Sequence, residues 1–436
     1  MILHLLSIVR LHGALSLEVA FNDEITLLVG INGSGKTSVL NVIDWLLKPD
    51  LKKLALASFE RLSLEFSEGG TAYEIVATRT ESKVMLTIAG GKHAPKPISV
   101  NLIKHIDVDD EDAGDEYDGL GPEKHEIPMW ELLKSFPRPT VISLDRTISA
   151  ESDEVQYVET SRGYAHRRFR QRSPLGYVQE VTSEKYAEFR TRAITNDNEL
   201  KAQIVMSALQ DPELAFKGGS IKPMTKAEIS KLEEKVTTYL SGTIKSDDVT
   251  KQVRSFFNSS RLLAKRQQLA ANQQNLLLDF VISQYRQIEN LAKAFNDFET
   301  KNGLAFKSLH DYLTAINRFF NDSNKELYFD ESTGKLVFSF IESQSKARQK
   351  RAISHLSSGE RQILILFTFL AFASKSQSVF IVDEPELSLH PKWQHEFMET
   401  FLKLRPENTQ LLLATHSPDI VGKFKNACVT LRGAKQ

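Results

Sequence analysis

Residues 1–150 read as strand-rich, with apolar and polar residues alternating in the two-residue period of half-buried strands. "MILHLLSIVRLHG" reads as a first strand; it lacks the basic flank and small-residue cleavage site of an export signal. "LSLEVAF" and "LSLEFSEGGTAYEIVATRTESKVMLTIAGGK" add strands joined by glycine-bearing turns, which is hairpin chemistry. Between them a short apolar run, Ile25 to Val29, leads through a loop with three glycines into an apolar-periodic helix from Thr37 to Leu47. "RPTVISLDRTI" returns the chain to a strand.

From 151 to 325 glycine becomes sparse and helical periodicity takes over. A T-x-x-E capping box at Thr225 to Glu228 and the apolar series Leu262, Leu269, Leu276, Phe280 predict two or three long helices, too few for a very long coiled coil. "KELYFDESTGKLVFSF" then reads as a hairpin turning at Ser332 to Lys335. Helix and strand alternate to residue 436, and "SVFIVDEP" is apolar almost throughout, as a buried parallel strand is. The expected fold is α/β: 1–150 and 326–436 build one unit with a mixed or parallel sheet, helices and an antiparallel β subdomain, and 151–325 is a helical insertion.

Composition narrows the setting. A formal net charge of −1 on 436 residues gives no global basic field, so a nucleic-acid contact requires a local patch. The single cysteine, Cys428, excludes a disulfide framework and fits a reducing cytoplasm. The longest apolar-rich run, Ile363 to Ala373, is far short of the roughly 20 residues of a membrane helix, so a soluble protein without a membrane partner is expected. "HIDVDDEDAGDEYDG" carries eight carboxylates between Asp107 and Asp118 without the frame of a Ca²⁺ loop, and reads as a solvated segment. "SRGYAHRRFRQRSPLGY" interleaves Arg162, Arg167, Arg168, Arg170 and Arg172 with Tyr164, Phe169 and Tyr177. Such a stretch can grip DNA, dock an acidic protein surface such as the 105–118 loop, or be a solvated basic loop.

The chemistry concentrates in four motifs. "GINGSGKT" fits G-x-x-x-x-G-K-[ST] at Gly30, Gly35, Lys36 and Thr37, after a strand and before a helix as the motif requires. Backbone N–H groups across Asn32, Gly33, Ser34, Gly35, Lys36, Thr37 and Ser38 would line a polyphosphate. Lys36 would neutralise its terminal oxygens, and Thr37 would offer its hydroxyl to Mg²⁺. In "FIVDEPE" an apolar strand ends in adjacent carboxylates: Asp383 to hold Mg²⁺ and Glu384 to polarise the attacking water. His416, just past "LLLA", stands at a strand end where it can contact a γ-phosphate. "LSSGE" opens a helix and forms a second anion site through Ser357 and the amides of Ser358 and Gly359. Two chains facing head to tail would use both helix ends on one triphosphate.

In this order the motifs resemble ABC-type ATPase heads of the SMC, RecF and OLD group, over residues 1–60 and 330–430. "DEPELSLHP" followed by "THSP" looks most like OLD-type ATPases and the ATPases of bacterial anti-phage systems, PARIS-type (AriA) first and Septu-type (PtuA) second. The resemblance implies ATP and Mg²⁺ as cofactors, Lys36, Thr37, Asp383 and Glu384 in the roles above, and His416 as a switch. It also implies that Ser357 and Gly359 complete the facing chain's site and that Arg10 lies near the nucleotide. Ser358 replaces the glycine usual in transporters and Glu360 the glutamine; the Q-loop position stays open between Gln156 and Gln179, with Asp145 and Arg146 as other groups near the γ-phosphate. Since the chain stops 20 residues past His416, no TOPRIM nuclease is expected after it. The implied function is an ATPase that oligomerises with itself and regulates a separate effector, such as a TOPRIM or HNH nuclease, with a viral protein as trigger. A RecF-like DNA-repair ATPase acting on ends or gaps is the alternative, and a transporter subunit fits poorly with the helical insertion.

Overall fold

The computed structural model describes residues 1–91, 95–103, 117, 119–142, 148–149, 157–160, 163–166, 173–208, 225–243, 251, 253–258, 275–340, 349–373 and 378–431. The acidic stretch 107–118 apart from Tyr117, the arginines of 162–172, Asp145, Arg146 and Gln156 therefore lie outside the described residues. The chain forms two compact units, Met1–Tyr186 with Leu309–Gln436, and Ala187–Ser308.

The larger unit holds the expected α/β architecture. Its first strands are β1 (Ile2–Leu11), β2 (Leu15–Ala20) and β3 (Ile25–Val29), followed by α1 (Lys36–Leu47) and α2 (Leu51–Leu56). Then come β4 (Arg61–Glu68), β5 (Thr71–Arg79), β6 (Lys83–Gly90), β7 (Ile98–Asn101), α3 (Ile127–Ser135), β8 (Thr140–Ile142) and β9 (Ile148–Ser149). A short hairpin, β10 (Tyr157–Thr160) with β11 (Gly163–His166), precedes α4 (Pro174–Ala208), α5 (Lys226–Thr243) and α6 (Asn275–Phe320). The C-terminal part contributes β12 (Lys325–Phe329), β13 (Leu336–Phe340), β14 (Arg351–Ala352), α7 (Ser358–Thr368), β15 (Val379–Asp383), α8 (Pro391–Leu404), β16 (Gln410–Thr415), α9 (Pro418–Val421) and β17 (Cys428–Thr430).

Two six-stranded sheets result. One is antiparallel in the order β2-β1-β4-β5-β6-β7, built from the alternating segments. The other runs β17-β3-β16-β15-β8-β9 and is parallel except at β9. Its inner strands β15 and β16 are buried at every residue, which explains their unbroken apolar sequence. Apolar residues of β1, β4, α1 and β15 share one core. On α7 and α8, Phe367, Phe397 and Phe401 pack ring against ring, with Phe380 of β15 beside Phe401. The tyrosines at the helix ends decide where the larger unit stops. Tyr186 stacks on Phe329 and Tyr177 on Phe369, each at 4.6 Å, and the buried Tyr312 hydroxyl meets Thr368 Oγ1 at 2.7 Å. The first turns of α4 and the last turns of α6 thus belong to the α/β unit, and the division falls at 187 and 308 where composition had suggested 151 and 325.

The smaller unit is helical. Leu200, Ile229, Leu232, Val236, Ile288 and Phe295 form its core. Tyr239 donates to Asp197 at 2.6 Å, and burial together with that carboxylate pushes the phenol up to about 12. Thr225 and Glu228 form the expected N-terminal cap.

One side chain ties the two sheets. Gln410, buried on β16, accepts from Leu3 N (2.8 Å) and donates to Leu3 O (3.0 Å) and Asn22 O (2.8 Å). Gln410→Ala strips these main-chain groups of their partner and should cost about 2–3 kcal/mol, read as a lower urea midpoint at unchanged slope; a midpoint equal to wild type would show that the bridge contributes nothing.

Candidate functional site

The parallel register sets the site. Val29 lies opposite Thr415, and Asp383 opposite Ala414, so the segments after β3, β15 and β16 leave the sheet along one edge, where α/β sheets bind ligands.

The loop after β3 folds as its glycines require. A Cβ on Gly30 would stand 2.5 Å from Ser34 Oγ and 2.8 Å from Leu431 O; Gly35 has φ +93° and packs against Leu15. Gly35 also caps α1 with no side-chain bond to the first-turn amides, so that positive helix end is open to an anion. Lys36 is 5% exposed and its amine donates to Gly30 O (3.1 Å) and Ile31 O (3.3 Å). Burial holds its ammonium below the usual lysine range, against the opposing pull of Glu384, Asp383 and Glu386.

Thr37 Oγ1 donates to Asp383 Oδ2 at 2.8 Å, joining groups 346 positions apart. Asp383 Oδ1 is buried without a partner among the described residues, as is Ser34 Oγ. Burial raises the Asp383 carboxyl above its usual range; the Thr37 bond and Lys36 work the other way, and Glu384 and Glu386 add to the rise. A hydroxyl beside a carboxylate with an unused buried oxygen is a donor set that fits Mg²⁺.

Glu384 adopts a left-handed φ of +49°, its N–H still donating to Ala414 O (2.8 Å). That turn carries its carboxylate out of the strand, to within 3.4 Å of His416 Nε2. The two proposed catalytic groups therefore meet, beside Asp383 and the loop that carries Lys36 and Thr37.

Other residues stand elsewhere. Ser357 caps α7 in a reciprocal box with Glu360, which is 2% exposed and bonded to Ser323 (2.7 Å) and Lys325 (2.8 Å). Gly359 packs so closely on Ser388 O that a Cβ would lie 2.6 Å from it. No hydrogen bond among the described residues joins Ser357, Ser358 or Gly359 to the loop 30–38. Arg10 pairs with Glu60 at 2.8 Å on an exposed face. Gln179 sits on α4, where its amide, suitably oriented, exchanges two hydrogen bonds with the Leu336 main chain. Among the described residues no cluster of three or more His, Cys, Asp or Glu is arranged as a metal site, and no helix is long and apolar enough to cross a membrane.

Sequence reasoning missed Glu386. Its Oε1 accepts from His416 N (2.6 Å) and Ser417 N (3.2 Å). The second glutamate of "DEPE" was the available signal, but nothing local says that it reaches across to the next strand end.

A family model for the AAA ATPase domain matches residues 1–421. The chain belongs to the AAA ATPase domain family. Within this ATPase, shorter stretches resemble other proteins. Old nuclease of Escherichia phage P2 is 29% identical over 120 residues, 24% of this chain and 20% of that protein. A Bacillus cereus protein named as an ABC transporter ATP-binding protein is 32% identical over 20% of this chain and 15% of its own length. UvrABC system protein A of Chlamydia trachomatis is 35% identical over 16% of this chain and 4% of its own. The chain thus matches no more than 20% of the length of any of these three relatives.

Proposed function

We propose that this AAA ATPase domain binds and hydrolyses ATP at the edge shared by β3, β15 and β16. The observation that carries the reading is the meeting of Glu384 and His416 beside a Lys36–Thr37–Asp383 cluster. Lys36, turned inward, meets the terminal phosphates when its two carbonyl partners release it, and the open N-terminus of α1 receives them. Glu384 accepts the proton of the attacking water, and His416 holds the nucleophile and γ-phosphate in line. Mg²⁺, held by Thr37 and Asp383, would supply charge neutralisation at the phosphates.

Ser358 and Gly359 begin a helix that makes no hydrogen bond to the loop 30–38 among the described residues. This supports a head-to-tail arrangement in which Ser357 and Gly359 complete the site of a second copy. Likeness to Old nuclease, together with the motif order, supports a role in bacterial anti-phage defence close to the PARIS-type or Septu-type ATPases. There ATP turnover would time the hold on a separate nuclease effector, a viral protein would be the trigger, and the cytoplasm the location. The helices of 151–325 would present the partner surface, since among their described residues no catalytic constellation is found. The RecF-like alternative leans on the arginines of 162–172 as a DNA grip, whereas the motif order and the likeness to Old nuclease support the effector reading.

Lys36→Ala should lose ATP binding, whereas Glu384→Gln should keep ATP affinity and lose hydrolysis by about 100-fold or more; wild-type turnover in Glu384→Gln would defeat the base assignment. Ser357→Arg should bind ATP yet hydrolyse poorly, and mixing it with Lys36→Ala chains should restore at most one working site per dimer. A mixture no better than either parent, from a chain active as a monomer, would refute the head-to-tail arrangement. The isolated wild-type chain with Mg²⁺ should leave single- and double-stranded DNA intact in a gel assay; metal-dependent cutting would remove the need for a separate effector.

A further inference from the structure

We infer that Glu386 is a positioning residue: by accepting the main-chain N–H groups of His416 and Ser417, its carboxylate fixes where His416 stands relative to Glu384. This rests on the ATPase reading of the site. Glu384 and His416 end different strands, and their side chains meet at 3.4 Å, a separation that neither strand alone determines. Glu386 supplies the missing link, because it leaves the β15 end and its Oε1 takes both amides that follow β16, at 2.6 and 3.2 Å. Each is a charge-assisted bond from a main-chain donor, among the stronger contacts a loop can have.

The segment bearing Glu386 is built to hold that reach. Leu387 N donates to Glu384 O (3.2 Å) and Leu389 N to Glu386 O (2.9 Å), closing two successive turns. The turns are bracketed by Glu384 (φ +49°) and Ser388 (φ +66°), two non-glycine residues in the left-handed region, which persists only where surrounding contacts enforce it. On the receiving side Ser417 is held as well. Its N–H also approaches Thr415 Oγ1 (3.0 Å), and its hydroxyl donates to Gln394 Oε1 (2.6 Å) while capping α9 through Ile420 N (3.2 Å). The other Glu386 oxygen is buried with no partner among the described residues, so the two amides are this carboxylate's described anchors. An acceptor, more than a charge, is what the arrangement asks of position 386, although the charge also acts on Lys36 and Asp383.

Glutamine separates the two roles, since it keeps the acceptor and removes the charge. In the 436-residue chain with MgATP, Glu386→Ala should lower kcat about 10- to 100-fold with the nucleotide Kd within about threefold of wild type, and Glu386→Gln should return kcat to within about threefold, the response of a misplaced catalytic group. Hydrogen exchange without nucleotide gives a second reading. The amides of His416 and Ser417 should exchange faster in Glu386→Ala and remain protected in Glu386→Gln. Should the alanine variant fail to fold, Glu386→Met, which fills the volume without an acceptor, takes its place. Glutamine as slow as alanine, alanine as fast as wild type, or equal protection at 416 and 417 in all forms would each overturn the inference. A wild-type chain that binds ATP and never turns it over would instead defeat the ATPase reading, leaving the exchange comparison to decide the role of Glu386.

Discussion

Parallel pairing of β3 with β16, and of β16 with β15, is the constraint on which the site depends. Parallel strands share polarity, so their C-terminal ends fall together, and the residues after Val29, Asp383 and Thr415 are delivered to one edge. A slip of one residue in β16 would turn buried side chains to the opposite face and displace His416 from Glu384. The Thr37–Asp383 bond confirms the alignment at the level of single atoms. That its partners are so distant in sequence is no obstacle: each doubling of an intervening loop adds only about 0.6 kcal/mol of closure entropy. A helical unit can therefore be inserted between the two halves of the sheet at modest cost.

Charge at this edge is unbalanced by design of the sequence. Lys36 faces three carboxylates, Asp383, Glu384 and Glu386, all of which pull its ammonium upward while burial pulls it down. Asp383 is pushed up by burial, with the neighbouring glutamates adding to the rise. An unaccompanied polyanion would meet a net negative wall, whereas a nucleotide arriving with a divalent cation brings the charge that the unused Asp383 oxygen lacks. Under the proposed function, the same residues would favour the metal complex of the nucleotide.

Much of this was legible in sequence wherever local pattern and chemistry coincide. The strand Ile25–Val29 was read to the residue, the helix after it to within one, and the hairpin of "KELYFDESTGKLVFSF" is β12 and β13 with its turn closed by Gly334. Period and punctuation are local signals, and they suffice for such elements. Tertiary partners are not local. Tyr177, Tyr186 and Tyr312 sit in helical sequence that is indistinguishable from the insertion, and only their rings and hydroxyls against Phe369, Phe329 and Thr368 assign those turns to the α/β unit. Glu360 reads in sequence only as a replacement for the usual glutamine; it also caps α7 with Ser357, and its burial beside Lys325 and Ser323 depends on a hairpin outside the motif. Glu386 escaped for the same reason.

These longer contacts give the segment after Asp383 two sides. Toward the site, Glu384 meets His416 and Glu386 holds the main chain at 416 and 417. Away from it, Ser388 O supports Gly359 at the start of α7, and Leu389 O accepts from Gln394, whose other amide atom takes the Ser417 hydroxyl. Beyond Gln394, Trp393 and Lys392 both bond Asp322, next to the Ser323 that reaches Glu360 in the α7 cap. Packed polar groups of this kind shift between discrete arrangements more readily than they stretch. The five residues from Glu384 to Ser388 therefore stand between His416 on one side and the capped end of α7 on the other, in contact with both.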